Sequence, residues 1–126
     1  MPMQTIMIID DDEADHFICK YTIRKFDPSI TVIAAYNGRE ALEMLHQSMP
    51  DAIVLDINMP IMNGFDFLDR YAVEFEVHAP VVAMLTSSPL GEDRERALQY
   101  EFVKTYFEKP LTVGHLHTMR ELLDTD

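Results

Sequence analysis

Ala52-Ile53-Val54-Leu55-Asp56-Ile57-Asn58-Met59-Pro60 is the stretch on which the architecture turns. Four apolar residues run without a polar alternate into a single carboxylate, and a proline closes the segment. A strand with one covered face alternates apolar and polar side chains, whereas a continuous apolar run marks a strand covered on both faces, as in a parallel sheet. Four further runs of branched apolar residues flank it: Ile6 to Ile9, Thr31 to Ala35, Val81 to Leu85, and a weaker one from Val103 to Phe107.

The segments between these runs change period. Phe65, Leu68, Ala72 and Phe75 recur at three- and four-residue spacing, with Tyr71 on the same stripe. Ala41, Leu42 and Leu45 do likewise, as do Phe17, Ile18 and Tyr21, and a last segment places Leu116, Met119 and Leu123 on one side. Asn37, Asn63 and Thr112 stand where helices begin and can cap their free N–H groups. Strand then helix, five times over, predicts a three-layer α/β domain around a five-stranded parallel sheet with five helices and right-handed crossovers. No internal repeat, low-complexity tract or linker breaks residues 1–126, which are expected to form a single domain with no output module.

Composition narrows the function classes. Hydrophobic residues make up 48% and charged residues 25% of the 126, the profile of a globular chain. No apolar run approaches the roughly 20 residues that span a bilayer, and the start lacks the basic and apolar parts of a secretory signal. The single cysteine, Cys19, excludes an intramolecular disulfide and a four-cysteine zinc site, and a cytoplasmic location is expected. A net charge of −12 repels phosphate backbones and anionic lipid, which argues against nucleic acid or membrane as the primary partner. Lys20, Arg24 and Lys25 share one helix but sit among acidic neighbours and read as a solvated face.

The unusual polar residues fall at strand ends. Asp10, Asp11 and Asp12 follow the first strand, Asp56 the third, Thr86 ends the fourth, and Lys109 follows the fifth. In a parallel sheet all strand C-termini share one edge, so residues nearly a hundred positions apart should converge there, with no histidine among them. Clustered carboxylates repel at neutral pH, and a hard divalent cation with oxygen ligands, Mg²⁺, would offset that repulsion. A central carboxylate can also act as a nucleophile and form an aspartyl phosphate, with the cation, a hydroxyl and an ammonium neutralising the transferred group.

Taken in order and spacing, Ile8-Ile9-Asp10-Asp11-Asp12-Glu13, Ala52 to Pro60 with Asn63-Gly64, Met84-Leu85-Thr86-Ser87 and Glu108-Lys109-Pro110 resemble the receiver domain of two-component response regulators over nearly the whole chain. The resemblance implies a flavodoxin-like fold with strand order 2-1-3-4-5 and a stand-alone, CheY-like receiver. It implies Asp56 as phosphoacceptor, charged by a sensor histidine kinase or phosphotransfer protein. Asp11 would bind Mg²⁺ directly and Asp10 largely through water, while Asp56 and the backbone carbonyl of Asn58 complete the protein ligands. Thr86 and Lys109 would hold phosphoryl oxygens, and Thr86 and Tyr106 would form the switch. The Lys109–Pro110 bond would be cis. Asn58 and Ser88 occupy positions that influence phosphoryl lifetime in the family. Signal would leave through a downstream protein target, a phosphorylation-dependent dimer or phosphate relay.

The chief rival is a Mg²⁺-dependent phosphatase of the haloacid-dehalogenase type. It needs a second Asp two residues after the nucleophile, where this chain has Asn58, and its acidic pair comes late rather than first. A degenerate receiver serving only as a binding module is disfavoured because every chemical residue is present. A nucleotide-binding enzyme lacks its glycine-rich loop after the first strand. His115 and His117 lie two apart on one helix and make a poor chelate. Cys19 reads as a small helix residue, and Met59 and Met62 are expected to face solvent.

Overall fold

A computed structural model describes residues 2–87 and 91–124. The chain order is β1 Thr5–Ile9, α1 Glu13–Phe26, β2 Thr31–Ala35, α2 Gly38–Gln47, β3 Ala52–Leu55, α3 Gly64–Glu74, β4 Val81–Thr86, α4 Gly91–Leu98, β5 Val103–Glu108 and α5 Val113–Asp124. All pairings are parallel and the sheet order is β2-β1-β3-β4-β5. The expected strand runs therefore hold to within a residue at each end.

The uninterrupted apolar runs have the predicted cause. In β1, Ile6 and Ile8 enter one buried cluster and Met7 and Ile9 another, on the opposite face of the sheet. β3 and β4 divide their side chains in the same way, because successive Cβ atoms point to opposite faces. The first cluster contains Cys19, Ile23, Leu116, Met119 and Leu123 from α1 and α5; the second contains Leu42, Leu45, Phe67, Leu68, Tyr71 and Ala97 from α2, α3 and α4. β5 reads weakly for a physical reason. It is an edge strand, with a register shift opposite Val82 and Ala83, so Lys104 and Glu108 face solvent.

Side-chain caps start four of the helices, at the expected Asn37, Asn63 and Thr112 and also at Asp12. Asp12 Oδ1 accepts from Ala14 N at 2.8 Å, Asn37 Oδ1 from Glu40 N at 2.8 Å, and Asn63 Oδ1 from Asp66 N at 2.9 Å. Thr112 Oγ1 accepts from His115 N at 3.1 Å. Each satisfies a donor that the helix cannot, an interaction that contributes about 1 kcal/mol.

Two apolar stripes turn out differently. In α1 the buried residues are His16, Cys19 and Ile23, while Phe17, Ile18 and Tyr21 point outward. Both sets have helical spacing, and the packing of α1 against α5 and the sheet selects the first. In α3 the buried stripe includes Phe67, and Ala72 is exposed. Lys20, Arg24 and Lys25 are exposed, as a solvated face should be.

Candidate functional site

Hydrogen bonds beyond the strand ends build the site. Asp10 N donates to Ala35 O at 3.1 Å and Asp56 N to Ile9 O at 3.0 Å, so the ladder continues one residue past β1 and β3 and fixes the two aspartates side by side. Lys109 N donates to Thr86 O at 3.0 Å, which ties the turn after β5 to the end of β4. Asp10 Oδ1 accepts from Asp12 N at 2.9 Å and Asp56 Oδ1 from Ile57 N at 2.8 Å. One carboxylate oxygen of each is thereby anchored, and the other turns to the lysine.

Lys109 Nζ lies 2.8 Å from Asp10 Oδ2, 3.3 Å from Asp56 Oδ2 and 2.6 Å from Asp15 Oδ2. Asp10 and Asp56 are buried, and burial disfavours their charged forms. It raises the Asp10 carboxyl to about 6, against the pull of Lys109 and the Asp12 N–H. Asp56 is also raised, burial again outweighing Lys109 and the N–H groups of Ile57 and Asn58. Burial alone would discharge Lys109, but hydrogen bonds to Asp10 and Asp15 and the field of Asp56 hold its ammonium above the ordinary lysine range. One cation serves several anions, and the cluster remains short of positive charge.

Ligand oxygens of Asp10, Asp11 and Asp56 all lie within 4.8 Å of one another, and Asp11 is the exposed member. This donor set is all hard oxygen and open to water on the Asp11 side. It fits Mg²⁺, which keeps several waters and takes few protein carboxylates.

The remaining expected residues take less direct places. Thr86 is fully buried at the end of β4, and Tyr106 is half-buried on β5 opposite Met84, packed against the α2–α4 side of the core. Asn58 is exposed, and its N–H bears on Asp56. Ser88 lies outside the described residues. Lys109–Pro110 is cis. Met59 is a correction: it is buried at 8% exposure and joins the core with Phe65 and Phe67, while Met62 is half-buried. The turn between β3 and α3 is tight enough to fold the Met59 side chain inward.

Two residues were not legible as part of the site. Asp15 reads in sequence as an ordinary first-turn acid of α1, favourable beside the helix N-terminus. His16 sits behind Asp10, its Nε2 2.7 Å from the Asp10 carbonyl oxygen. A carbonyl can only accept, so Nε2 carries the proton and donates.

Comparison with known proteins agrees with this geometry. Residues 6–121 match the response regulator receiver domain. The chain belongs to that family, which decides between the receiver and the phosphatase. It is 37% identical over 97 residues to a protein-glutamate methylesterase/protein-glutamine glutaminase of Burkholderia thailandensis, covering 77% of this chain and 27% of that protein. It is 31% identical over 114 residues to the autoinducer 1 sensor kinase/phosphatase LuxN of Vibrio campbellii, covering 89% of this chain and 12% of LuxN. The chain thus spans a minor part of either relative. A two-component response regulator from Cytophaga hutchinsonii superposes with a TM-score of 0.91 at 26% identity, covering all of both chains.

Proposed function

We propose that the chain accepts a phosphoryl group on Asp56, with Mg²⁺ bound, from the phosphohistidine of a sensor kinase or phosphotransfer protein, and so switches its contacts with a downstream protein target. The observation that carries this reading is the buried Asp56 carboxylate, grouped with the carboxylates of Asp10 and Asp11 and 3.3 Å from the Lys109 ammonium. Asp10, Asp11, Asp56 and the Asn58 carbonyl would hold the cation, which neutralises phosphoryl oxygens when bound.

The chain's own residues do the rest. Ile57 N–H holds Asp56 Oδ1, leaving Oδ2 toward Lys109. A carboxylate oxygen of Asp56 attacks phosphorus and forms a P–O bond as the P–N bond to the donor imidazole breaks. The electron pair passes to that imidazole nitrogen, and the ring leaves as neutral imidazole because its other nitrogen carries a proton. Lys109 and Thr86 take phosphoryl oxygens, and Thr86 and Tyr106, near the ends of neighbouring strands, carry the response outward. Catalysis of this kind is mostly positioning and charge. The donor would dock across α1, where Phe17 and Tyr21 stand 72% and 58% exposed beside the site. The chemistry and the lone cysteine support a cytoplasmic location.

Treatment with Mg²⁺ and a small phosphodonor should add the mass of one phosphoryl group, and Asp56→Asn should abolish the addition at that position. Unchanged labelling of the variant would sink the assignment. Lys109→Ala should keep Mg²⁺ binding yet lose most of the response to beryllofluoride around Tyr106; a full response in that variant would disprove the coupling.

A further inference from the structure

We propose that Asp15 is a positioning residue that receives the Lys109 ammonium when a divalent cation takes Asp10 and Asp56. The inference rests on the phosphoryl-acceptor reading and adds a residue to it.

Lys109 Nζ carries three N–H donors and faces three carboxylates, those of Asp15, Asp10 and Asp56. Two of the three, Asp10 and Asp56, also belong with Asp11 to the group able to hold a metal ion; Asp15 does not. Ammonium and entering cation therefore compete for the same two carboxylates. Positive charges that share ligands repel, and the lysine must withdraw from them at least partly. The shortest of its contacts, 2.6 Å, is already with the one carboxylate the cation does not claim.

The surroundings allow that withdrawal without moving the backbone. Lys109 N stays bonded to Thr86 O, and a cavity of about 220 Å³ opens beside the side chain, lined by Asp15, Ile18, Cys19, Leu85 and Pro110. Its walls suit the lysine methylenes but offer an ammonium no other carboxylate than Asp15. Without Asp15, a displaced ammonium would stand unpaired in a largely apolar cleft, which is costly. Lys109 would then stay on Asp10 and Asp56 and oppose metal entry.

Calorimetric titration with MgCl₂ at fixed pH and ionic strength, on the wild type, Asp15→Asn, Lys109→Met and the double variant, tests this. Asp15→Asn should weaken Mg²⁺ binding on the order of three- to tenfold, the scale of coupling between residues in one charge network. In the Lys109→Met background the same substitution should change affinity less than about twofold, because no ammonium remains to be placed. Asp15→Glu, which keeps the charge and reaches further, should restore most of the loss and guards against a folding defect in the amide variant. An unchanged affinity in Asp15→Asn would overturn the inference. So would an equal loss with and without Lys109, since Asp15 would then act only as a distant charge. Wild-type protein that binds no Mg²⁺ would overturn the site reading itself, an outcome distinct from the other two.

Discussion

Gly64, the first residue of α3, approaches the backbone of Asp56 so closely that a Cβ at position 64 would stand 2.5 Å from the Asp56 carbonyl oxygen and 2.8 Å from Ile57 Cα. The contact is held by Gly64 N donating to Ile57 O at 2.8 Å. Helix α3 can start against the turn that follows β3 at Asp56 only if residue 64 lacks a side chain. The obstructing atoms are backbone, so they cannot rotate aside. Gly64→Ala should cost about 2 kcal/mol, within the range for forcing a methyl into a packed site. Urea unfolding should show a lower midpoint with an unchanged slope, and a midpoint equal to the wild type would refute the close-packing account.

Ile61 shows the opposite kind of constraint. Its φ is +70°, a conformation that a β-branched residue rarely adopts, and Met62 N closes a three-residue turn on Pro60 O at 2.7 Å. The side chain is 79% exposed, so it gains little from burial in return. Asparagine tolerates this region far better. Ile61→Asn should therefore stabilise the fold by about 1 kcal/mol, the penalty of left-handed backbone for ordinary residues. Thermal unfolding would register it as a raised midpoint, and a lowered one would show that the turn is not strained.

The proposed docking of a protein donor on the outward face of α1 distinguishes two routes of phosphorylation. A small phosphodonor needs only the site, whereas a protein donor needs a surface to bind. Phe17→Ala should slow transfer from a phosphohistidine protein on the order of tenfold, as for loss of one aromatic anchor at an interface. Labelling by the small donor should be unaffected, since Phe17 is 72% exposed and its side chain belongs to neither the carboxylate group nor the lysine contacts. Equal slowing by both donors would show instead that the substitution disturbs the site.

His115 carries a pH dependence away from the carboxylates. Its ring stacks on Phe107 at 4.1 Å between centroids, and its Nδ1 accepts from Thr112 N at 3.1 Å. Burial lowers its pKa below the ordinary 6.5. The unfolded chain therefore binds a proton more readily than the folded one, and the neutral ring's contribution is present above pH 6.5 and lost as pH falls below it through the folded pKa. His115→Gln should flatten the part of the stability–pH curve that lies below 6.5. Curves of identical slope would remove His115 as its source.

Much of the site was legible because it depends on local pattern. An acidic residue directly after a both-faces-buried strand must lie on the C-terminal edge of a parallel sheet, wherever the helices go. Asp10, Asp11, Asp56, Thr86 and Lys109 all stand at that edge, at or just past the ends of β1, β3, β4 and β5. The capping roles of Asn37, Asn63 and Thr112 are local in the same sense, each reaching only three residues ahead. The burial of Met59 was not legible, since a nine-residue window does not say how tightly the turn after β3 folds back.

By itself, then, the sequence determined the strand and helix order, the both-faces burial of the central strands and the edge at which the chemistry gathers, all of which follow from periodicities of two and 3.6 residues. Which stripe of α1 faces inward was decided only by packing, because Phe17, Ile18 and Tyr21 satisfy the helical period as well as His16, Cys19 and Ile23 do. One partner of Lys109 was decided there too. Asp15 lies 94 residues away and makes its 2.6 Å contact only once α1 and the turn after β5 are brought together across the sheet. Periodicity fixes which residues share a face, and only the assembled layers fix which faces meet.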